Sequence, residues 1–355
     1  MILFRCDGNS HIATGHLMRC LSIARALKKK CIFLLSDMES KSVLCSFFSK
    51  SNEYPVQILH TANYRDLSVE LSELKEVLAF YSEQEKELPT LFVDSYFVTN
   101  HYFLSLKNTA KLVYLDDLRV ENYDVDLVIN YDVIPEDDLS LYQASYSHSA
   151  NMLLGSLYAP LRPQFAYAGL HRKNNANGIL ISSGGTDPEH CLLRLIPYIR
   201  NHFPIHPIHV LMGSMNPDKE KIYNLAKSDS HLIVHEALPD TAPLMLSVSL
   251  AITAAGTTLY ELCACGTPSI SYSFADNQIP SATAFHKVGA VPYIGDLRND
   301  ILPKELSSTL QEILSDSHLQ NDLSSRMHSF VDGLGASRIA KEIENLSCFT
   351  EEMPR

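Results

Sequence analysis

The chain has 355 residues, 46% of them hydrophobic and 20% charged, enough for two α/β domains that each bury a core of their own. Its 41 acidic and 29 basic residues give a net charge of −12, which supplies no general field for nucleic acid or an anionic membrane surface. No apolar run approaches the ~20 residues of a membrane span, and Met1 leads directly into a strand-like segment, so a soluble cytoplasmic protein is expected, with no signal peptide. Eight cysteines (Cys6, Cys20, Cys31, Cys45, Cys191, Cys263, Cys265 and Cys348) show no C-x-x-C spacing and read as reduced, mostly buried thiols.

Ile2 to Cys6 reads as a strand, Asp7 to Gly15 as a polar loop, and Leu17, Cys20, Leu21, Ala24 and Leu27 recur at helical spacing. A loop between such a strand and helix lies where parallel α/β sheets bind ligands. His16 stands at the helix start, after Gly15, with Arg19 one turn on. The helix dipole there disfavours the imidazolium, so a neutral imidazole is available as a general base. A histidine that merely caps the helix would look the same. Strand-like and helical segments then alternate: Cys31 to Leu35, Ser40 to Lys50, Val56 to Leu59, and an amphipathic helix over Asp66 to Phe80. Its charged end, Glu83 to Glu87, reads as solvated surface. Three apolar strands follow, and each ends in polar groups. Thr90 to Val93 delivers Asp94, Ser95 and Tyr96; Leu112 to Leu115 delivers Asp116 and Asp117; Leu127 to Ile129 delivers Asn130 and Tyr131. Any of these side chains could simply cap the next helix. Asp116 and Asp117 lack a companion His or Glu at ligand spacing, and strand neighbours point to opposite sides, so at most one would face a cleft, holding the imidazole or fixing the loop.

The segment Gly155 to Phe165, with two prolines and no period, suits a crossing between domains, near residues 160 to 172. The expected division is 1–165 and 166–355. Ile179 to Ile181 then runs into Ser182 to Pro188, where Gly184 and Gly185 would let backbone amides approach a phosphate and Pro188 would open the helix. A glycine pair needed only for chain reversal is indistinguishable. His206 to Met212 and Leu232 to Val234 read as strands, Pro217 to Lys227 and Pro239 to Ser247 as helices. Leu250 to Thr253 leads into Ala254 to Thr258 and a helix over Leu259 to Cys265, with Glu261 one turn in. That carboxylate could take a ribose diol, or it could close a capping box with Thr258. The strand Ser269 to Phe274 presents Asn277 and Gln278, ahead of a helix to Val288. Two glycine turns, a helix-borne Glu and an amide pair at one sheet edge suit a nucleoside diphosphate. Helices over Pro303 to Ser315, Leu319 to Phe330 and Ser337 to Leu346 complete the chain, the last folding back over the domain junction.

Asp7, Gly15, His16 and Arg19, the Val93 to Tyr96 strand end, Asp116 and Asp117, the Gly155 to Phe165 crossing, Gly184 to Asp187, Gly256 to Glu261 and the Asn277–Gln278 pair come in an order that resembles the UDP-sugar hydrolases of pseudaminic acid biosynthesis, relatives of the MurG-like glycosyltransferases. Ala13 stands where that family commonly has glycine. The resemblance implies a GT-B fold, with two Rossmann-like parallel-sheet domains facing across a cleft. It implies hydrolysis of UDP-2,4-diacetamido-2,4,6-trideoxy-β-L-altropyranose to UDP and the free sugar, with inversion and without metal or cofactor. His16 would activate water, with Tyr96 and Asn277 positioning water and sugar. Gly184, Gly185, Gly256, Thr257 and Thr258 would hold the diphosphate, Glu261 the ribose and Gln278 the sugar or phosphate. Asp7, Gly15, Arg19 and Asp94 complete the implied substrate-binding set. The partners expected are thus the UDP-linked diacetamido sugar and UDP, with no nucleic acid and no membrane insertion; the oligomeric state stays open. A GT-B glycosyltransferase with a different acceptor, and a non-catalytic nucleotide-sugar-binding subunit, are the alternatives. The acidic chain shows no basic, apolar patch for a lipid acceptor, which favours water.

Overall fold

The computed structural model describes residues 1–9, 11–12, 14–172, 176–298, 302 and 304–346. The expectations that touch Ala13, Pro303 and Cys348 lie outside the described residues. The chain divides into two units, 1–162 with 335–355, and 163–334.

The first unit runs β1 (Ile2–Cys6), α1 (Gly15–Ala26), β2 (Cys31–Leu35), α2 (Met38–Ser46), β3 (Val56–Ile58), α3 (Leu71–Glu85), β4 (Thr90–Asp94), α4 (Asn100–Leu106), β5 (Lys111–Leu115), β6 (Leu127–Asn130), α5 (Leu139–Ser145) and β7 (Met152–Leu154). All seven strands are parallel, in the order β3-β2-β1-β4-β5-β6-β7. Covered on both faces, they read as continuous apolar runs. Ile2, Phe4 and Cys6 point into one core with α1, while Leu3 points into the other with Leu74, Leu78 and Phe103. Arg5, on the Leu3 side, is wholly buried, and its charge is met by Glu70 at 2.7 and 2.8 Å and by Asp7 at 2.5 Å. Asp7 thereby supports β1, and its second oxygen accepts from the Ser36 amide at 2.7 Å.

The second unit runs β8 (Ile179–Ser182), α6 (Cys191–His202), β9 (Ile208–Met212), α7 (Lys219–Ser228), β10 (Leu232–Glu236), α8 (Ala242–Ser247), β11 (Leu250–Ala254), α9 (Thr257–Ala264), β12 (Ser269–Ser273), α10 (Ile279–Lys287), β13 (Tyr293–Asp296), α11 (Glu305–Ser315) and α12 (Ser317–Phe330). Its six parallel strands are ordered β10-β9-β8-β11-β12-β13. A single core of β8, β9, β11, α6 and α11 side chains lies on one face.

The helix α13 (Gly335–Leu346) belongs to the first unit, where Ala336, Ile339, Ala340 and Ile343 join the α1 side of the core. The boundary near 165 has its counterpart at 162/163, but the expected second domain loses its last helix to the first. The reason is an apolar face matched to α1, together with Gly335, where an added Cβ would lie 2.1 Å from the Ala159 carbonyl oxygen.

Several element limits also differ from expectation. A single helical turn over Leu67–Glu70 precedes α3, which extends to Glu85. The strands β7 and β13 and the helices α4 and α5 were not legible in the sequence. Six of the seven described cysteines are buried and Cys45 is exposed.

Candidate functional site

In both sheets the strand order reverses once, between β1 and β4 in the first and between β8 and β11 in the second. At such a reversal the loops leave to opposite faces and open a crevice beyond the carboxyl ends of the strands. Each unit places its functional groups there.

In the first unit α1 begins at Gly15, and Thr14 provides no side-chain cap. Cys6 pairs with Asp94 in register, so the loop into α1 and the end of β4 are neighbours. His16 and Asp94 consequently meet, with Nδ1 2.5 Å from the Asp94 carboxylate. Arg19, one helical turn on, grips that carboxylate at 2.5 and 2.6 Å. It also reaches Asp117 at 2.7 Å and donates to the Tyr131 hydroxyl at 2.6 Å. The convergence follows from topology, because β1, β4, β5 and β6 are consecutive in the sheet and deliver residues 6, 94, 117 and 131 side by side. His16, Arg19 and Asp94 are 4%, 6% and 1% exposed. Burial alone would raise the Asp94 pKa, but the Arg19 guanidinium and then the hydrogen-bonded His16 ring outweigh it and hold the carboxyl well below its usual range. The ionised carboxylate can accept a hydrogen bond from Nδ1–H of the neutral ring, and in that tautomer the lone pair lies on Nε2. Tyr96 packs edge-on to the ring, centroid to centroid 4.4 Å.

One assignment changes here. The imidazole is held by Asp94, not by one of the Asp116–Asp117 pair, and Arg19 grips the same carboxylate. Of the pair, Asp117 anchors Arg19. Asp116 is fully buried, accepting from the Leu118 and Arg119 amides and the Tyr146 hydroxyl at 2.9 to 3.2 Å. Sequence reasoning passed over Asp132, half-buried after β6, whose carboxyl is raised to about 7 by burial and then by Asp117. Strand order is the signal that would have identified Asp94, since β4 must lie beside β1 in this topology.

In the second unit, Gly184 follows β8 with φ +85°, a conformation suited to glycine, and an added Cβ there would meet nothing within 4 Å. Gly185 is closely packed: its carbonyl oxygen lies 2.2 Å from where a Cβ on Gly213 would sit, so two loops meet backbone on backbone. The expected helix start at Pro188 is displaced to Cys191. Asp187 receives the Cys191 and Leu192 amides, each at 2.9 Å, so the amino end of α6 is already supplied with a carboxylate. The amino end of α9 differs. Gly256 is its N-cap, no side-chain cap hydrogen bond is made, and the space where a Cβ would project is open. Thr257 and Thr258 occupy its first turn. Because the cap is Gly256 and not Thr258, the capping-box reading of Glu261 does not hold; Glu261 lies one turn into the helix and is buried. Asn277 sits on an exposed turn after β12, and the Gln278 side-chain oxygen accepts from the Phe274 amide at 2.9 Å. That bond shapes the turn, so the Gln278 side-chain oxygen serves the protein itself. Among the described residues no group of three or more His, Cys, Asp or Glu side chains is arranged to hold a metal ion, and no helix is long and apolar enough to cross a membrane.

Parallel sheets with a reversal in each unit and functional groups at both reversals define the GT-B class, and solved structures of that class match the whole chain. Acinetobacter baumannii MurG superimposes with a TM-score of 0.66 over 97% of this chain and 99% of its own, at 14% identity. Residues 179–342 match the model of the glycosyltransferase family 28 C-terminal domain. The spore coat polysaccharide biosynthesis protein SpsG of Bacillus subtilis is 24% identical over 96% of both chains. The UDP-2,4-diacetamido-2,4,6-trideoxy-β-L-altropyranose hydrolase of Campylobacter jejuni is 22% identical over 81% of this chain and 97% of its own. Together these likenesses show a GT-B fold.

Proposed function

We propose that this chain is a UDP-sugar-dependent glycosyltransferase in which His16 is the general base on the acceptor hydroxyl. The carrying observation is the buried His16–Asp94–Arg19 constellation at the strand reversal of the first unit. The second unit's likeness to the glycosyltransferase family 28 C-terminal domain supports the transferase reading. Nε2 takes the hydroxyl proton as the oxygen attacks the anomeric carbon, the bond from that carbon to the diphosphate oxygen breaks, and UDP departs with its electron pair. Asp94 stabilises the imidazolium that forms, and Arg19 keeps Asp94 from taking the proton itself. Displacement in a single step inverts the anomeric centre. The leaving diphosphate is met by backbone amides at the Gly184 turn and the amino end of α9, with Thr257 and Thr258, while Glu261 accepts from the ribose hydroxyls. Tyr96 and Asn277 position the sugar and its attacking partner.

A second reading has water as the nucleophile and the diacetamido altropyranose nucleotide as substrate, giving UDP and the free sugar. The likeness to the Campylobacter hydrolase over 97% of that protein's length supports it. The two separate in one assay: UDP release is followed from UDP-N-acetylglucosamine and from the altropyranose nucleotide, each with and without sugar acceptors. The transferase reading expects release that depends on an acceptor. Rapid release from the altropyranose nucleotide in water alone overturns it in favour of hydrolysis, and binding of UDP without turnover under any condition overturns both.

A further inference from the structure

Beside His16 the first unit carries a group of aromatic rings that the mechanism above does not use. Tyr64, on the segment between β3 and the Leu67–Glu70 turn, stacks on His11 with centroids 6.2 Å apart and 12° between planes. It also meets Phe97 edge-on at 6.0 Å. Phe97 directly follows Tyr96, the residue against the His16 ring, and is 40% exposed. The rings thus come from three loops, after β1, β3 and β4, all at the sheet edge that holds His16. The His11 and Phe97 backbones are pinned. Asn9 Oδ1 accepts from the His11 and Ile12 amides at 3.0 and 3.3 Å, and Ser95 Oγ accepts from the Phe97 amide at 3.1 Å. The Arg65 guanidinium carbon lies 5.3 Å from the Tyr64 centroid, and Arg65 Nε donates to the Tyr64 hydroxyl at 2.9 Å.

Single exposed apolar residues on a surface need no explanation. Rings from three separate loops that touch one another and are held in place beside a buried base do need one. From these contacts we infer that Tyr64, Phe97 and His11 form a glycosyl-binding rim, which receives the C–H face and acyl or deoxy methyl groups of a sugar ring next to His16. Aromatic faces bury such C–H groups, while the Tyr64 hydroxyl, Arg65 and His11 offer polar partners to the hydroxyls at its border. The occupant has to be small, because a macromolecule seated on these loops would cover the imidazole. The inference rests on His16 being the reacting group, and it holds whether the sugar is the donor's or the acceptor's.

The test compares wild type with Phe97→Ala and Tyr64→Ala, and with Phe97→Tyr and Tyr64→Phe as conservative controls. UDP affinity is measured by calorimetry, donor and acceptor KM by UDP release, and sugar contact by saturation-transfer NMR with methyl N-acetylglucosaminide. Each alanine variant is expected to weaken the sugar signal and raise one KM about tenfold, with UDP affinity unchanged and the aromatic controls close to wild type. A rise in donor KM identifies the donor sugar as occupant, and a rise in acceptor KM identifies the acceptor. Sugar contact and both KM values within about twofold of wild type in folded alanine variants overturn the rim, as does a parallel loss of UDP affinity. Should wild type release no UDP from any sugar nucleotide while the alanine variants still erase the methyl glycoside signal, the transfer reaction falls and the rim stands.

Discussion

The two units solve the same geometric problem with opposite chemistry. At the reversal of the first sheet the strand ends are crowded with charge, and nearly all of it is spent internally: Asp94 on His16 and Arg19, Asp117 on Arg19, Asp7 on Arg5. At the reversal of the second sheet the equivalent turns carry Gly184, Gly256, Thr257 and Thr258, and the start of α9 has no side-chain cap. Charge locked in a buried lattice fixes one imidazole in one orientation. A turn without side chains leaves amide groups for a ligand's charge. The first arrangement suits proton transfer and the second suits anion binding.

The sharpest way to break this division is to remove the base. His16→Asn is expected to lower turnover about 10²- to 10⁴-fold while UDP affinity, measured by calorimetry, stays near wild type; Asp94→Asn follows with a smaller loss, since the ring keeps its place but not its preferred tautomer. Equal loss of UDP binding in His16→Asn would assign the histidine to structure. The complementary change is Gly256→Ala. With φ −106° and open space around the added methyl, the fold tolerates it, so its effect should appear as a roughly tenfold weaker UDP complex with little change in Tm. An unchanged UDP affinity would remove the α9 turn from the binding site.

The smallest effect concerns Asp132. Its carboxyl is raised to about 7 in the folded chain against about 3.9 when unfolded, so between those values the native state binds more protons and stability falls as pH rises. Asp132→Asn should therefore narrow the Tm difference between pH 5 and pH 8. A difference as large as wild type's would place the pH dependence elsewhere.

How far the sequence discloses this arrangement depends on the range of the interaction involved. The β1 strand, the Gly15–His16 start of α1 and the glycine turns are local patterns, written in consecutive residues. The partner of His16 is not local. Asp94, Asp116 and Asp117 each follow an apolar strand, and only the placement of β4 next to β1 selects the first. The strands β7 and β13 were missed because they are three and four residues long and largely half-buried, without the continuous apolar run of the inner strands. Glu261 shows the opposite case: its spacing from Thr258 also fits a capping box, and the box is void because the helix starts two residues before Leu259, at Thr257, with Gly256 as cap.

The return of α13 has a consequence for how the chain is built. The layer of apolar side chains over α1 is completed only by residues from 335 onward, after the whole second unit has left the ribosome. His16, made long before them, therefore waits on that late segment before its helix is fully covered. Cutting the chain before Gly335 would spare the second unit's core yet bare one flank of the helix that carries the base, so shortening at that end should cost activity long before it costs nucleotide binding.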